Sequence, residues 1–171
     1  MSTSSAVKGR SGVRISKPID GGLALVLNND IGAIDDARLE IDRHLKPQSL
    51  SARAQNRLEV IFEELVSNIV RYGMRPGHDQ SILVTVAAQA GVIRLTIEDD
   101  GLPFDPFSLA EPPAPRSLEE VRIGGLGIPL VRRLAASTAY ERDPQSPLWA
   151  EMVGCDARPA NRVIVTLSAG P

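Results

Sequence analysis

The chain has 171 residues, with 19 Lys plus Arg against 21 Asp plus Glu and a net charge of −2. This length predicts one domain, and 43% apolar with 23% charged residues suffices for a buried core. The near-neutral balance excludes a general nucleic-acid binder, which needs a basic excess; no run nears the roughly 18 apolar residues of a membrane span.

The opening MSTSSAVKGRSG is Ser/Gly-rich and lacks the apolar centre of a signal peptide. Residues 1–12 are expected to be a disordered tail ahead of a single domain over 13–171. The run Leu23–Leu27 is short, apolar and bounded by Gly21-Gly22 and Asn28-Asn29-Asp30, which predicts a strand followed by a helix start. Asp30 is the expected N-cap of a helix carrying Ile31, Ile34, Ile41 and Leu45, which Pro47 closes. Ser51 opens a longer helix whose stripe is Leu58, Ile61, Phe62, Leu65 and Ile69, ending at Gly73. Ile82–Ala88 and Val92–Glu98 are β-branched and joined by Gln89-Ala90-Gly91, a hairpin signal.

Gly101–Arg116 holds Pro103, Pro106, Pro112, Pro113 and Pro115, so most of it cannot be regular structure. The whole of 102–123 is expected to be a mobile lid, hinged at the glycines that flank it. Gly124-Gly125-Leu126-Gly127 leads into a third helix over Ile128–Ala136, and Val163–Leu167 is the last strand. Asp143–Pro159 gives no clear signal as hairpin or loop, and Trp149 within it reads as a packing residue. The order β-α-α-β-β-loop-α-β implies a two-layer α/β sandwich, its sheet mostly antiparallel and its helices on one face.

Three segments can carry chemistry. Glu64 and Asn68, four apart on the second helix, lie one above the other on a face offset from the apolar stripe. A carboxylate with a carboxamide there can supply a base and an oxygen ligand for Mg²⁺, although such a pair also suits a solvated helix face. Glu63 beside it reads as a surface acid. Glu98-Asp99-Asp100-Gly101 delivers acids from a strand end into a loop, where ligand sites gather. Asp99 can accept from an exocyclic amine such as that of adenine, and Gly101 lets backbone pass close to a flat ring, while Asp-Asp-Gly is also a common turn. Gly124, Gly125 and Gly127 ahead of a helix can free N–H groups for phosphate oxygens or serve as a flexible joint.

In sequence, Glu-x-x-x-Asn, Asp-x-Gly, a Pro-rich loop and Gly-Gly-x-Gly resemble the ATP-binding fold of DNA gyrase B, Hsp90, histidine kinases and MutL (the Bergerat fold). Phe62-Glu63-Glu64-Leu65-Val66-Ser67-Asn68 and Gly124-Gly125-Leu126-Gly127-Ile128-Pro129-Leu130-Val131 most resemble the anti-sigma-factor serine kinases of that superfamily. The resemblance covers roughly residues 20–142 and the last strand. It implies Glu64 as catalytic base, Asn68 as the Mg²⁺ ligand at the triphosphate and Asp99 with Gly101 as the adenine-reading motif. Gly124, Gly125 and Gly127 become the glycines of the phosphate-facing lid, and ATP and Mg²⁺ the cofactors. Phe104-Asp105-Pro106 matches a family phrase as well.

The implied activity is an ATP-dependent protein-serine kinase that phosphorylates an anti-anti-sigma (STAS-type) antagonist and binds a sigma factor or other regulator. The alternative is an ATP-binding module that sequesters its partner without kinase activity. A homodimer is implied, with neither direct nucleic-acid nor membrane contact. Cys155 is the only cysteine, so no internal disulfide can form and a cytoplasmic setting is expected. Tyr72 stands where many relatives carry His, with Arg71 before it; Arg71 reads as a phosphate contact or a solvated charge. The family's adenine-side Thr has no clear counterpart, Thr166 reading as a strand residue. His44 and His78 lack a phosphoacceptor context, so a complete sensor histidine kinase is not expected.

Overall fold

The computed structural model describes residues 12–73, 79–108, 127–154 and 158–170. Six strands, β1 (Val13–Ile19), β2 (Gly22–Asn28), β3 (Ser81–Gln89), β4 (Val92–Asp99), β5 (Ser137–Arg142) and β6 (Asn161–Ser168), form one sheet in the order β1-β2-β3-β4-β6-β5. Every pairing is antiparallel. Hairpin turns link the first four strands in pairs; in the β3–β4 turn Ala90 and Gly91 both take positive φ, the backbone hand that matches strand twist.

Period-two alternation sorts the side chains. Leu23, Leu25 and Leu27 of β2, Ile82, Val84 and Val86 of β3, and Ile93, Leu95 and Ile97 of β4 all enter one core. Three helices cover that face: α1 (Gly32–Leu45), α2 (Ala52–Tyr72) and α3 (Gly127–Leu134). The expected stripe of α2 is buried at Leu58, Ile61, Phe62 and Leu65, each such side chain contributing about 1.5–3 kcal/mol through removal from water. Ser51 caps α2 as expected, its side chain accepting from Ala54 N–H at 3.1 Å, and Gly73 ends it. The two-layer, antiparallel α/β sandwich expected from the element order is the observed architecture.

Four elements differ from expectation. The N-cap of α1 is Ile31, not Asp30; Asp30 instead accepts from Gly32 N–H at 2.6 Å, holding the turn that leads in. β1 and β5 were not expected as strands, and both lie at sheet edges with largely exposed side chains. The unplaced Asp143–Pro159 contains α4 (Pro147–Met152), which lies on the opposite face of the sheet, so the helices do not all share one face. There Trp149 and Met152 pack on Ala24, Val26 and Leu83, and Glu151 pairs with Lys17 of β1. Trp149 is thus a packing residue. The expected tail lies outside the described residues up to position 11, as do residues 109–123 of the expected lid, His78 and Cys155.

Candidate functional site

Alternation carries two strands past the core into polar residues. After Ile93, Leu95 and Ile97, the next residue of β4 on the helix-covered face is Asp99; before Val163, Val165 and Leu167, the corresponding residue of β6 is Asn161. The register pairs Asp99 with Asn161 directly. Both are buried, at 4% exposure each, so their polar atoms need partners.

Asn161 spends all the hydrogen-bonding capacity of its amide at this point. Its Nδ2 donates to Asp99 Oδ1 and to Leu102 O, both at 3.0 Å. Its Oδ1 accepts from Phe104 N–H at 2.9 Å and from the Tyr140 hydroxyl at 2.8 Å. Asp99 Oδ1 also accepts from Gly101 N–H at 2.9 Å, which folds the chain into a tight turn. Gly101 has to be bare: a methyl group there would fall 2.7 Å from Asp99 Oδ1 and closer still to Gly73 O. Asp99 and Gly101 therefore form a clamped acid–turn unit pressed against the end of α2, where Leu102 N–H donates to Gly73 O. Burial raises the pKa of Tyr140, Arg142 opposing and Asp105, Asp99 and Asp143 adding to the rise, so its hydroxyl stays a donor.

The other end of the region lies on α2. Glu64 and Asn68 are half-buried on one face, Glu63 is exposed, and Arg71 and Tyr72 are exposed at the C-terminal turn. Glu64 lies against Gly127 of α3: a methyl group on Gly127 would fall 2.9 Å from Glu64 Cδ and closer still to Oε2. α2 thus touches the glycine-motif helix at Glu64 and the Asp99 turn at Gly73, roughly 13 Å apart at 1.5 Å per residue. Asn68 sits between these contacts. Gly124 and Gly125 lie outside the described residues. No group of three or more His, Cys, Asp or Glu side chains suited to a metal ion occurs among the described residues.

The start of the expected lid is tied down on three sides. Phe104 is held by Asn161 as above, Asp105 Oδ1 accepts from Phe107 N–H at 2.8 Å, and Arg132 of α3 donates to Phe107 O. Thr166 lies five residues along β6 from Asn161 and bonds Ser137 across the strands, so it is a strand residue. Asn161, Tyr140 and Arg132 were not singled out from sequence. Their signal is the β4–β6 register and the packing of α3, which no local pattern carries.

The sequence pattern of the histidine kinase-like ATPase domain matches residues 27–151, which includes Glu64, Asn68, Asp99, Gly101 and Gly127. The chain belongs to this family. A histidine kinase-like ATPase domain implies ATP as its ligand. The chain is also similar to the serine/threonine-protein kinase BtrW of Bordetella bronchiseptica, at 34% identity over 92 residues, which are 54% of this chain. The matched region spans 65% of that kinase. No helix among the described residues is long and apolar enough to cross a membrane.

Proposed function

We propose that the chain is an ATP-dependent protein-serine kinase that phosphorylates an anti-anti-sigma antagonist of STAS type and binds a sigma factor or another regulator. The observation that carries this reading is the placement of Glu64. A half-buried carboxylate faces the glycine-motif helix, with Asn68 one turn further along α2 and the clamped Asp99 at the far end. A protein that only bound nucleotide would need no carboxylate at the phosphate end.

Phosphoryl transfer demands mainly positioning and neutralisation of charge, with a base to orient the nucleophile. Asp99 accepts from the exocyclic amine of adenine and so fixes the ring. Gly101 lets the turn close against Gly73 and so holds Asp99 in place. Asn68 offers its amide oxygen to Mg²⁺, which when bound neutralises the triphosphate. Gly124, Gly125 and Gly127 present backbone towards the phosphates, and Glu64 takes the proton of the attacking serine hydroxyl. The resemblance adds a homodimer in the cytoplasm.

The test is transfer of label from γ-labelled Mg-ATP to the antagonist encoded beside the protein's own gene. Wild type is expected to label serine, and Glu64→Gln to lower transfer about 10²- to 10⁴-fold, the usual contribution of a general base, while binding ATP as before. Nucleotide-dependent partner binding with no label transferred by wild type would instead establish the sequestering module.

A further inference from the structure

Gly127 opens α3, and the position a side chain would take there is already occupied. What surrounds it is specific. The position a Cβ would take is 2.9 Å from Glu64 Cδ, 3.6 Å from Glu64 Cβ and closer still to Oε2, and these are its three nearest atoms among the described residues outside its chain neighbours. The space that Gly127 leaves is filled by one functional group, the carboxylate of Glu64.

We infer that Gly127 is a positioning residue for Glu64: its bare Cα is the surface on which the carboxylate rests, so α3 sets where the base stands. This rests on the reading of Glu64 as base given above, and it assigns Gly127 a task beyond presenting backbone to phosphate, one that depends on its lack of a side chain. The clash that a methyl group would create is with the free end of a flexible side chain, not with backbone. Substitution therefore leaves the fold intact and moves the carboxylate instead. A base displaced by about 1 Å loses on the order of a hundredfold in rate.

Position also carries a consequence for coupling. Arg132, one turn and a half along α3, donates to Phe107 O in the loop that follows Asp99. One helix thus touches the carboxylate of Glu64 at one end and the loop of the Asp99 turn through Arg132. Any shift of α3 that accompanies nucleotide entry moves the base with it.

The experiment compares wild type, Gly127→Ala, Glu64→Gln and the double variant, using Mg-ATP. Three readouts are taken: affinity by calorimetry, turnover of γ-labelled ATP with the antagonist present, and the crystal structure of Gly127→Ala without nucleotide. The inference expects ATP affinity of Gly127→Ala to stay within about threefold of wild type and turnover to fall about tenfold to a hundredfold. The Glu64 carboxylate is expected to swing off its wild-type site in the crystal. Gly127→Ala should add no further loss to Glu64→Gln, because the two act through one group. An unmoved carboxylate overturns the inference whatever the turnover. Weakened ATP affinity with unchanged kcat overturns it too, and makes Gly127 a phosphate cradle. Full turnover by Glu64→Gln is a different result: it removes the base reading itself, while the crystal comparison still decides whether Gly127 places the side chain.

Discussion

Glu98 and Asp99 are neighbours in sequence, both carboxylates, both 4% exposed, yet strand alternation sends them to opposite faces of the sheet. Glu98 points to the face that carries α4. There Arg162 Nε donates to its Oε1 at 2.6 Å and the Ser146 hydroxyl donates to its Oε2 at 2.8 Å. Arg162 reaches on to Glu141 at 2.7 Å and to Gln145 O at 2.8 Å. Burial opposes the charge of Arg162, but its bonds to Glu98 and Glu141 outweigh this and push its pKa above the ordinary value. Asp99 points to the helix-covered face and is held by neutral donors, Gly101 N–H and Asn161 Nδ2. One acid meets a cation and ties down a segment; the other is held within a turn by a backbone N–H and a side-chain amide.

The comparison breaks most visibly at Arg162. Replacing Arg162 by Met leaves Glu98 buried with its countercharge gone, and the expected cost is about 3 kcal/mol of stability. Urea denaturation measures it. Replacing Glu98 and Arg162 together by apolar residues of similar size is expected to restore most of that loss, since the desolvation of both charges goes as well. If the single and double variants lose equally, the pair is not what holds this face.

Asp99→Asn sharpens the other side. The amide retains an oxygen to accept from Gly101 and Asn161, so the fold is expected to keep its stability within about 1 kcal/mol. Adenine recognition loses a charged acceptor, worth about 1.5–3 kcal/mol, and calorimetry with Mg-ATP is expected to show affinity down roughly tenfold to a hundredfold. Equal losses of stability in Asp99→Asn and Arg162→Met would mean that the two carboxylates do the same structural job.

The sequence made one half of this contrast legible and hid the other. Asp99, Gly101, Glu64 and Asn68 fall in short local phrases, and the central strands announce themselves as short apolar or β-branched runs bounded by turn residues. β1 and β5 escaped because edge strands bury little: Ile15 is 43% exposed, and Ser137–Arg142 buries no residue fully. α4 has six residues, with Pro147 at its start, too few for a helical period to show. Asn161 has the least local signal of all. A lone Asn before a β-branched run is indistinguishable from a turn residue until β6 pairs with β4 and sets it opposite Asp99. The Glu64–Gly127 contact is hidden for the same reason, since it depends on how α3 packs against α2.

The smallest effect lies at the rim of the clamp, at Tyr140. Its hydroxyl donates to Asn161 Oδ1, so Tyr140→Phe removes one neutral hydrogen bond and is expected to cost about 1 kcal/mol at neutral pH. The alkaline range separates this from simple loss of packing. Burial raises the folded-state pKa of Tyr140 above the ordinary 10.0, so the unfolded chain gives up this proton first. The stabilising contribution is then complete below pH 10.0 and declines as pH climbs from there through the raised folded value. In an ultraviolet titration the phenolate signal that Tyr140→Phe removes is expected to rise above pH 10.0. Wild type is expected to lose stability more steeply than Tyr140→Phe across that window. Parallel declines, or a Tyr140 phenol that ionises at the ordinary 10.0, would mean that the hydroxyl does not sit in the clamp, and that Asn161 is aimed at Asp99 by Leu102 and Phe104 alone.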